Sequence, residues 1–278
     1  MFKSRIVLVC LLILPVSAYC QTAKTNLKKL IKICESFDKN VTDINTEYTF
    51  EVNSVPPKNP PQNFGRFVGP QKCYLTAIKP FDKFYKLTMV IVSENAQGNR
   101  LGATVTEACN GSIYMNTDGS IKNKKNLEYT GITPLGFTIF HQVSNSNTLL
   151  DVLKNRSNYY TIILDPNVSR VNDFNTVKVS CISYNGIIPE TMILFFSVDH
   201  NYTIVKIIEY HGSSRSATTY DVIQLKNIDK GIWFPTKANT ISDTGITNTF
   251  TVSKVAINTG LTKDDLLYIK ERENKQSP

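Results

Sequence analysis

The segment 176–258 constrains the fold most. It reads as a succession of antiparallel strands over Thr176–Tyr184, Thr191–Asp199, Thr203–Tyr210, Ser216–Ile228, Gly231–Ile241 and Thr247–Asn258. Little but turns lies between them: Asn185-Gly186, Asp199-His200-Asn201, His211-Gly212-Ser213-Ser214, Asp229-Lys230-Gly231 and Ser242-Asp243-Thr244-Gly245. These residue types tolerate the backbone angles of tight turns. Short strands with a turn signal after each imply an all-β sandwich or barrel and exclude βαβ units.

The side-chain pattern adds a second constraint. One face of Thr191–Asp199 carries Met192, Leu194, Phe196 and Val198, and the other carries Ile193, Phe195 and Ser197. The next strand places Ile204, Ile208 and Tyr210 on one face and Val205 and Ile207 on the other. A sheet wetted on one side alternates apolar with polar residues. Strands apolar on both faces therefore predict that both faces are covered. A helix suits one, and a second sheet or a cavity holding an apolar ligand suits the other. Plain core packing is the default explanation.

Upstream, Leu27, Leu30, Ile31, Cys34 and Phe37 recur at the spacing of one helical face, with Thr25 or Asn26 as the cap. That stripe must lie on the sheet. Asn45–Val55, Phe84–Ser93, Leu101–Ala108, Ser112–Met115, Ile121–Lys122 and Tyr159–Asp165 read as further strands. Val55–Lys72 holds five prolines and is expected to be a loop, either a passive one or a lid. Gly136–Val143 and Leu149–Leu153 carry helical spacing, and a last helix starts at Thr262.

Residues 1–20 read as a secretory leader: Lys3 and Arg5, an apolar run over Ile6–Val16, then small residues. A lipid on Cys20 is disfavoured, because Tyr19 stands where a small residue is usual. One domain over 21–270 and a charged tail over 271–278 follow. The location is the periplasm or the extracellular space. Loss of Lys3 and Arg5 lowers the net charge from +8 to +6. The basic residues are scattered, which argues against nucleic acid and leaves an anionic membrane surface as a weaker partner. Cys34, Cys73, Cys109 and Cys181 remain after the leader, and could form two disulfides of unresolved connectivity.

No catalytic constellation stands out. His141 falls in an expected helix, and His200 and His211 in expected turns, without ligand spacing. There is no Gly-x-Ser-x-Gly, no phosphate-cradling loop and no dinucleotide fingerprint. No metal, cofactor or enzymatic activity is expected. Trp233, in Gly231-Ile232-Trp233-Phe234-Pro235, reads equally as a ring over the core of an edge strand or as a ring at the mouth of a cavity.

Three local patterns carry a family resemblance. They are Cys109-Asn110-Gly111-Ser112-Ile113-Tyr114-Met115, Phe195-Phe196-Ser197-Val198-Asp199 followed by Ile204-Val205-Lys206-Ile207, and Gly231-Ile232-Trp233-Phe234-Pro235. With the leader, the amphipathic helix and the mid-chain helical insertion, the chain resembles the LolA-like outer-membrane lipoprotein carrier and lipoprotein-sorting superfamily over about 26–269. The resemblance implies a mainly β (α+β) fold: a curved antiparallel sheet or incomplete barrel with helices packed on its concave face. It also implies lipid or lipoprotein acyl chains as ligands and envelope proteins as further partners.

The expected function is an exported soluble carrier or sensor of an acyl chain. The alternative is a protein-interaction module on the same fold with no cavity. The expected cavity wall is Leu194, Phe196, Ile208, Tyr210, Trp233, Phe250 and Val252, with Leu30 and Phe37 from the first helix.

Overall fold

A computed structural model describes residues 26–53, 66–81, 83–94, 98–110, 114–115, 121–122, 133–144, 147–154, 160–183, 191–211 and 216–267. The expected leader, most of the proline-rich loop, the Asp118-Gly119 turn and the charged tail lie outside these residues.

A helix, α1, spans 26–40. It buries Leu30 and Cys34 and leaves its lysines outward, as its periodicity requires. Seven strands follow: β1 (Asp43–Asn53), β2 (Arg66–Phe67), β3 (Gln71–Ile78), β4 (Phe84–Glu94), β5 (Arg100–Asn110), β6 (Tyr114–Met115) and β7 (Ile121–Lys122). A 3-10 turn (Pro134–Phe137), the short pair β8 (Gln142–Ser144) and β9 (Asn147–Thr148), and helix α2 (Leu149–Leu153) form an insertion. Seven more strands run back: β10 (Tyr160–Val171), β11 (Phe174–Ser183), β12 (Thr191–Ser197), β13 (Thr203–His211), β14 (Ser216–Asp229), β15 (Ile232–Ile241) and β16 (Thr247–Ile257). A short helix, α3 (Lys263–Leu267), ends the described chain.

One antiparallel sheet holds all but β8 and β9, in the order β10-β11-β12-β13-β14-β15-β16-β1-β3-β4-β5-β6-β7, with β2 on β4. It is curved and does not close into a barrel. Two meanders therefore meet at one seam, β16 against β1, which runs from Ile44 opposite Ile257 to Asn53 opposite Thr247. The seam is clasped at one end. Asp43 accepts hydrogen bonds from Thr259 N, Thr259 Oγ1 and Gly260 N, and Asn258 Oδ1 accepts from Thr42 N at 2.8 Å. Asn258 sits at φ 56°, a left-handed turn that Asn tolerates.

The strands of 176–258 and the other six expected strands all form, with ends moved by a few residues. Three expectations change. The loop expected over Val55–Lys72 is shorter, because Arg66–Phe67 pairs with Glu94 and Ser93, and Gln71 already starts β3. Gly136–Val143 is not a helix. Only the 3-10 turn at its start is helical, and Gln142–Ser144 is a strand. His141 therefore stands outside any helix. Residues 133–141 are buried throughout, so their apolar spacing reflects burial on all sides. Finally, Cys34, Cys73, Cys109 and Cys181 are free, buried thiols. Burial raises the pKa of Cys34 and Cys181 to about 12 and of Cys73 to about 11, so these three stay protonated and unreactive at neutral pH.

Candidate functional site

The concave face of the sheet is lined by inward residues of both meanders. Val179, Cys181, Met192, Leu194, Phe196 and Ile207 come from β11 to β13, and Tyr48, Cys73, Leu75, Tyr85 and Leu87 from β1, β3 and β4. The insertion sits on this face as a plug. Leu135, Phe137, Leu149, Leu150, Val152 and Leu153 are all buried in the same core. Phe137 packs edge-on against Phe250 with ring centroids 5.1 Å apart and against Tyr220 at 5.9 Å. Helix α1 lies on the plug. Phe37 meets Phe140 at 5.7 Å, and Lys154 pairs with Glu35 at 2.5 Å. Among the described residues, the concave face is filled by the chain's own side chains.

One polar contact pins the plug to the sheet. His141 is fully buried, with Nε2 2.6 Å from Glu209 Oε1 on β13. Its Nδ1 lies 2.7 Å from the carbonyl oxygen of Gly136. A carbonyl only accepts, so Nδ1 donates. The Tyr220 hydroxyl also hydrogen-bonds Glu209. Burial and then the Glu209 charge raise the Tyr220 pKa, so that hydroxyl remains a donor. Sequence reasoning missed this pair. The signal was Glu209 itself, a carboxylate inside Ile207-Ile208-Glu209-Tyr210, which needs a partner once buried.

A small apolar recess of about 20 Å³ opens where α1, the plug and the sheet meet. Ile33, Cys34 and Phe37 line it from α1, Thr138 and Ile139 from the plug, and Thr203, Ile204 and Trp233 from β13 and β15. Asn201 and Tyr202 complete it. They turn the chain from β12 to β13 with φ 52° and 54°, and Thr203 N donates to His200 O at 3.0 Å. Two consecutive left-handed residues make a type I′ turn, and a tyrosine in that conformation is uncommon. The turn holds Tyr202 at the recess. Trp233 packs edge-on against His200, centroids 4.5 Å apart.

The expected wall residues therefore divide. Leu30, Leu194, Phe196 and Phe250 are together in the core. Phe37 and Trp233 share the recess. Ile208 and Tyr210 are on the other face. Leu194 stands opposite Ile207, whereas Ile208 stands opposite Ile193 and Tyr210 opposite Thr191. Val252 is half-buried at the seam, opposite Tyr48, and also lines a cleft outside it. Trp233 stands opposite Asn227 of β14, on the part of β15 that has no β16 partner among the described residues, so its position is locally an edge. The second face is covered only in part: α3 packs on β3 to β5 with Leu266 buried and Lys263 over the Phe84 ring, whereas Ile163 and Ile182 on β10 and β11 are exposed.

No protein-family model and no curated protein sequence matches the chain. Solved structures do. A domain assigned to outer-membrane lipoprotein sorting, from Vibrio parahaemolyticus, aligns with a TM-score of 0.52 at 11% identity, covering 87% of this chain and 97% of that one. A DUF1329 family protein from Desulfovibrio piger aligns with a TM-score of 0.52 at 10% identity, over 87% of this chain and 97% of its own. A LolA superfamily protein from Nitrosomonas europaea covers 96% of its own chain and 88% of this one at 12% identity, but its TM-score of 0.44 is too low to argue from. At such identities the likeness speaks to fold alone. The chain shares its fold with the lipoprotein-sorting domain and the DUF1329 protein.

Proposed function

We propose that this protein is an exported carrier that takes up an acyl chain of a lipid or lipoprotein through the recess between α1, the plug and Trp233. The observation that carries this reading is the meeting of Phe37, Ile139, Ile204 and Trp233 at one apolar recess over the capped concave face. Its volume of about 20 Å³ has room for about one water. Uptake therefore requires the plug or α1 to move outward, exchanging Ile139 and Phe37 contacts for contacts with the chain. Each methylene then buried contributes about 0.8 kcal/mol. No helix among the described residues is long and apolar enough to cross a membrane.

A second reading, an interaction module without a ligand, is favoured by one observation: the plug already fills the face that would hold cargo. Native mass spectrometry of the protein purified from its own envelope fraction separates the two. The carrier reading expects a co-purifying lipid or lipoprotein. It also expects uptake of a fluorescent fatty acid that Ile139→Trp abolishes by blocking the recess. A clean apo mass with no uptake by the unaltered protein moves the conclusion to the interaction module.

A further inference from the structure

The outer side of the seam carries a site of a different kind. Strand β16 follows β1 along its whole length, but it leaves β15 after the Lys237–Thr251 pair. From Val252 to Ile257 its other edge has no ladder partner among the described residues. The cause lies in β14 and β15. β14 pairs with β13 only over Ser216–Asp221, and β15 pairs with β16 only over Lys237–Ile241. The remainder of the two strands leaves the sheet as a two-stranded ribbon. Register shifts at Val222/Gln224, Gln224/Leu225 and Asn227/Asp229 increase its twist.

A cleft of about 670 Å³ separates this ribbon from the open edge. Val252 to Ala256 wall it on one side, and Lys226, Asn227, Ile228 and Thr236 on the other. Tyr74 of β3 and Asn45–Glu47 of β1 complete its lining. In an antiparallel strand, alternate residues direct both N–H and C=O to the same side. Strand β16 bulges against β1 at Ser253, between the Glu47–Lys254 and Tyr48–Val252 pairs, and on either side of that bulge Val252–Ile257 presents backbone donors and acceptors to the cleft, a pattern that an extended backbone satisfies and an acyl chain does not. The segment Val-Ser-Lys-Val-Ala-Ile contains no proline. The outer edge of β10 is different: it carries Pro166, a residue that cannot donate to a ladder and so blunts an edge. Lys226 and Lys254 line the cleft, against a single carboxylate, Glu47, 3.4 Å from Lys254.

We propose that this cleft binds an extended, acidic polypeptide segment of about six residues, which adds to β16 as a strand. Its backbone pairs with Val252–Ile257, its acidic side chains meet Lys226 and Lys254, and its alternate side chains pack on Ile228, Val255 and Tyr74. This site is independent of acyl-chain uptake at the recess.

The test uses the mature full-length protein and a fluorescein-labelled hexapeptide alternating aspartate with valine. The expected result is saturable binding by fluorescence anisotropy, with slowed exchange of the Val252–Ile257 amides that face away from β1. Methylating alternate backbone nitrogens keeps the side chains but removes donors, and should weaken binding about tenfold or more. Lys226→Glu, on an exposed ribbon residue, should weaken it most at low salt. Absence of saturable binding overturns the proposal, as does binding that backbone methylation leaves unchanged. Displacement of the peptide by a fluorescent fatty acid also overturns it, by assigning the cleft to acyl chains.

Discussion

Glu209 and His141 form a buried polar contact within an apolar core, and its strength depends on both members being present. Replacing Glu209 by glutamine keeps the shape and removes the charge. The imidazole is then left without a carboxylate, at a cost of about 3 kcal/mol for a broken buried pair. Replacing both residues with apolar ones (His141→Phe with Glu209→Leu) should recover part of that loss, because the desolvation of the pair disappears with it. Denaturant midpoints of the three variants measure both effects. A Glu209→Gln change within about 0.5 kcal/mol of the parent, the usual effect of a surface substitution, would sink the idea that this pair pins the plug. Asp43 behaves differently. Burial opposes its charge, but hydrogen bonds from Thr259, Gly260 and Thr42 outweigh burial and lower its pKa below the usual value. A carboxyl group with a depressed folded pKa stabilises the fold fully above its unfolded pKa, about 3.9, and loses that contribution as pH falls through the folded value. Asp43→Asn should therefore lower stability at pH 7 and flatten the decline below about pH 4. Urea titrations across that range decide it, and an unchanged acid slope in Asp43→Asn would show that the clasp does not depend on the charge.

Among the elements, those read correctly from sequence are the ones whose signal is local. Strands β12, β14 and β15 each end in a turn that contains Asn, Asp, Gly or Ser, and burial follows period two in β11 and β12. Strand β3 escaped notice although its burial alternates cleanly, because its inward residues Gln71, Cys73, Leu75 and Ala77 are weak strand formers beside a proline-rich stretch. The cavity wall failed for a related reason. Which residues of β12 and β13 share a face depends on the connection Val198–Tyr202 and on the register shift between Phe195 and Phe196, which leaves Val205 as the extra residue. Neither is visible in either strand alone. The plug was half legible. Its helix α2 begins in a capping box that spacing alone did not specify: Asn147 and Thr148 both suit a cap in sequence, and it is Thr148 that pairs with Asp151, with Thr148 N donating to Asp151 Oδ2 at 3.1 Å. Thr148→Ala should cost about 1 kcal/mol. Because α2 is only five residues long, that loss should appear as faster amide exchange in α2 while β11 and β12 keep their protection. Equal acceleration in the strands would mean that the plug and sheet open as one unit.

At the scale of the whole molecule, the chain is two meanders that share a seam and a plug. Strand β1 begins the described sheet in sequence and β16 ends it, so the seam closes a loop of about two hundred residues. Non-local pairing of this kind slows folding, because loop closure is unfavourable until the contacts that reward it exist. Phe250 is where the parts converge. It stands opposite Phe50 across the seam, with ring centroids 5.1 Å apart, and touches Phe137 of the plug at the same distance. If each meander had its own core, the chain would unfold in two steps, and a seam substitution would separate them further. The packing indicates otherwise. The meander residues, the plug and α1 belong to one contiguous buried cluster, so neither half can bury its concave face without the rest. Phe250→Ala should therefore lower the stability of a single transition by about 3–5 kcal/mol, the range for a fully buried phenylalanine. Fluorescence from Trp233, in the ribbon, and far-ultraviolet dichroism, from the whole sheet, should report the same midpoint before and after the substitution. Midpoints that diverge in the variant would mean that the ribbon and its meander hold their structure without the seam, and that the protein is built from two separable halves.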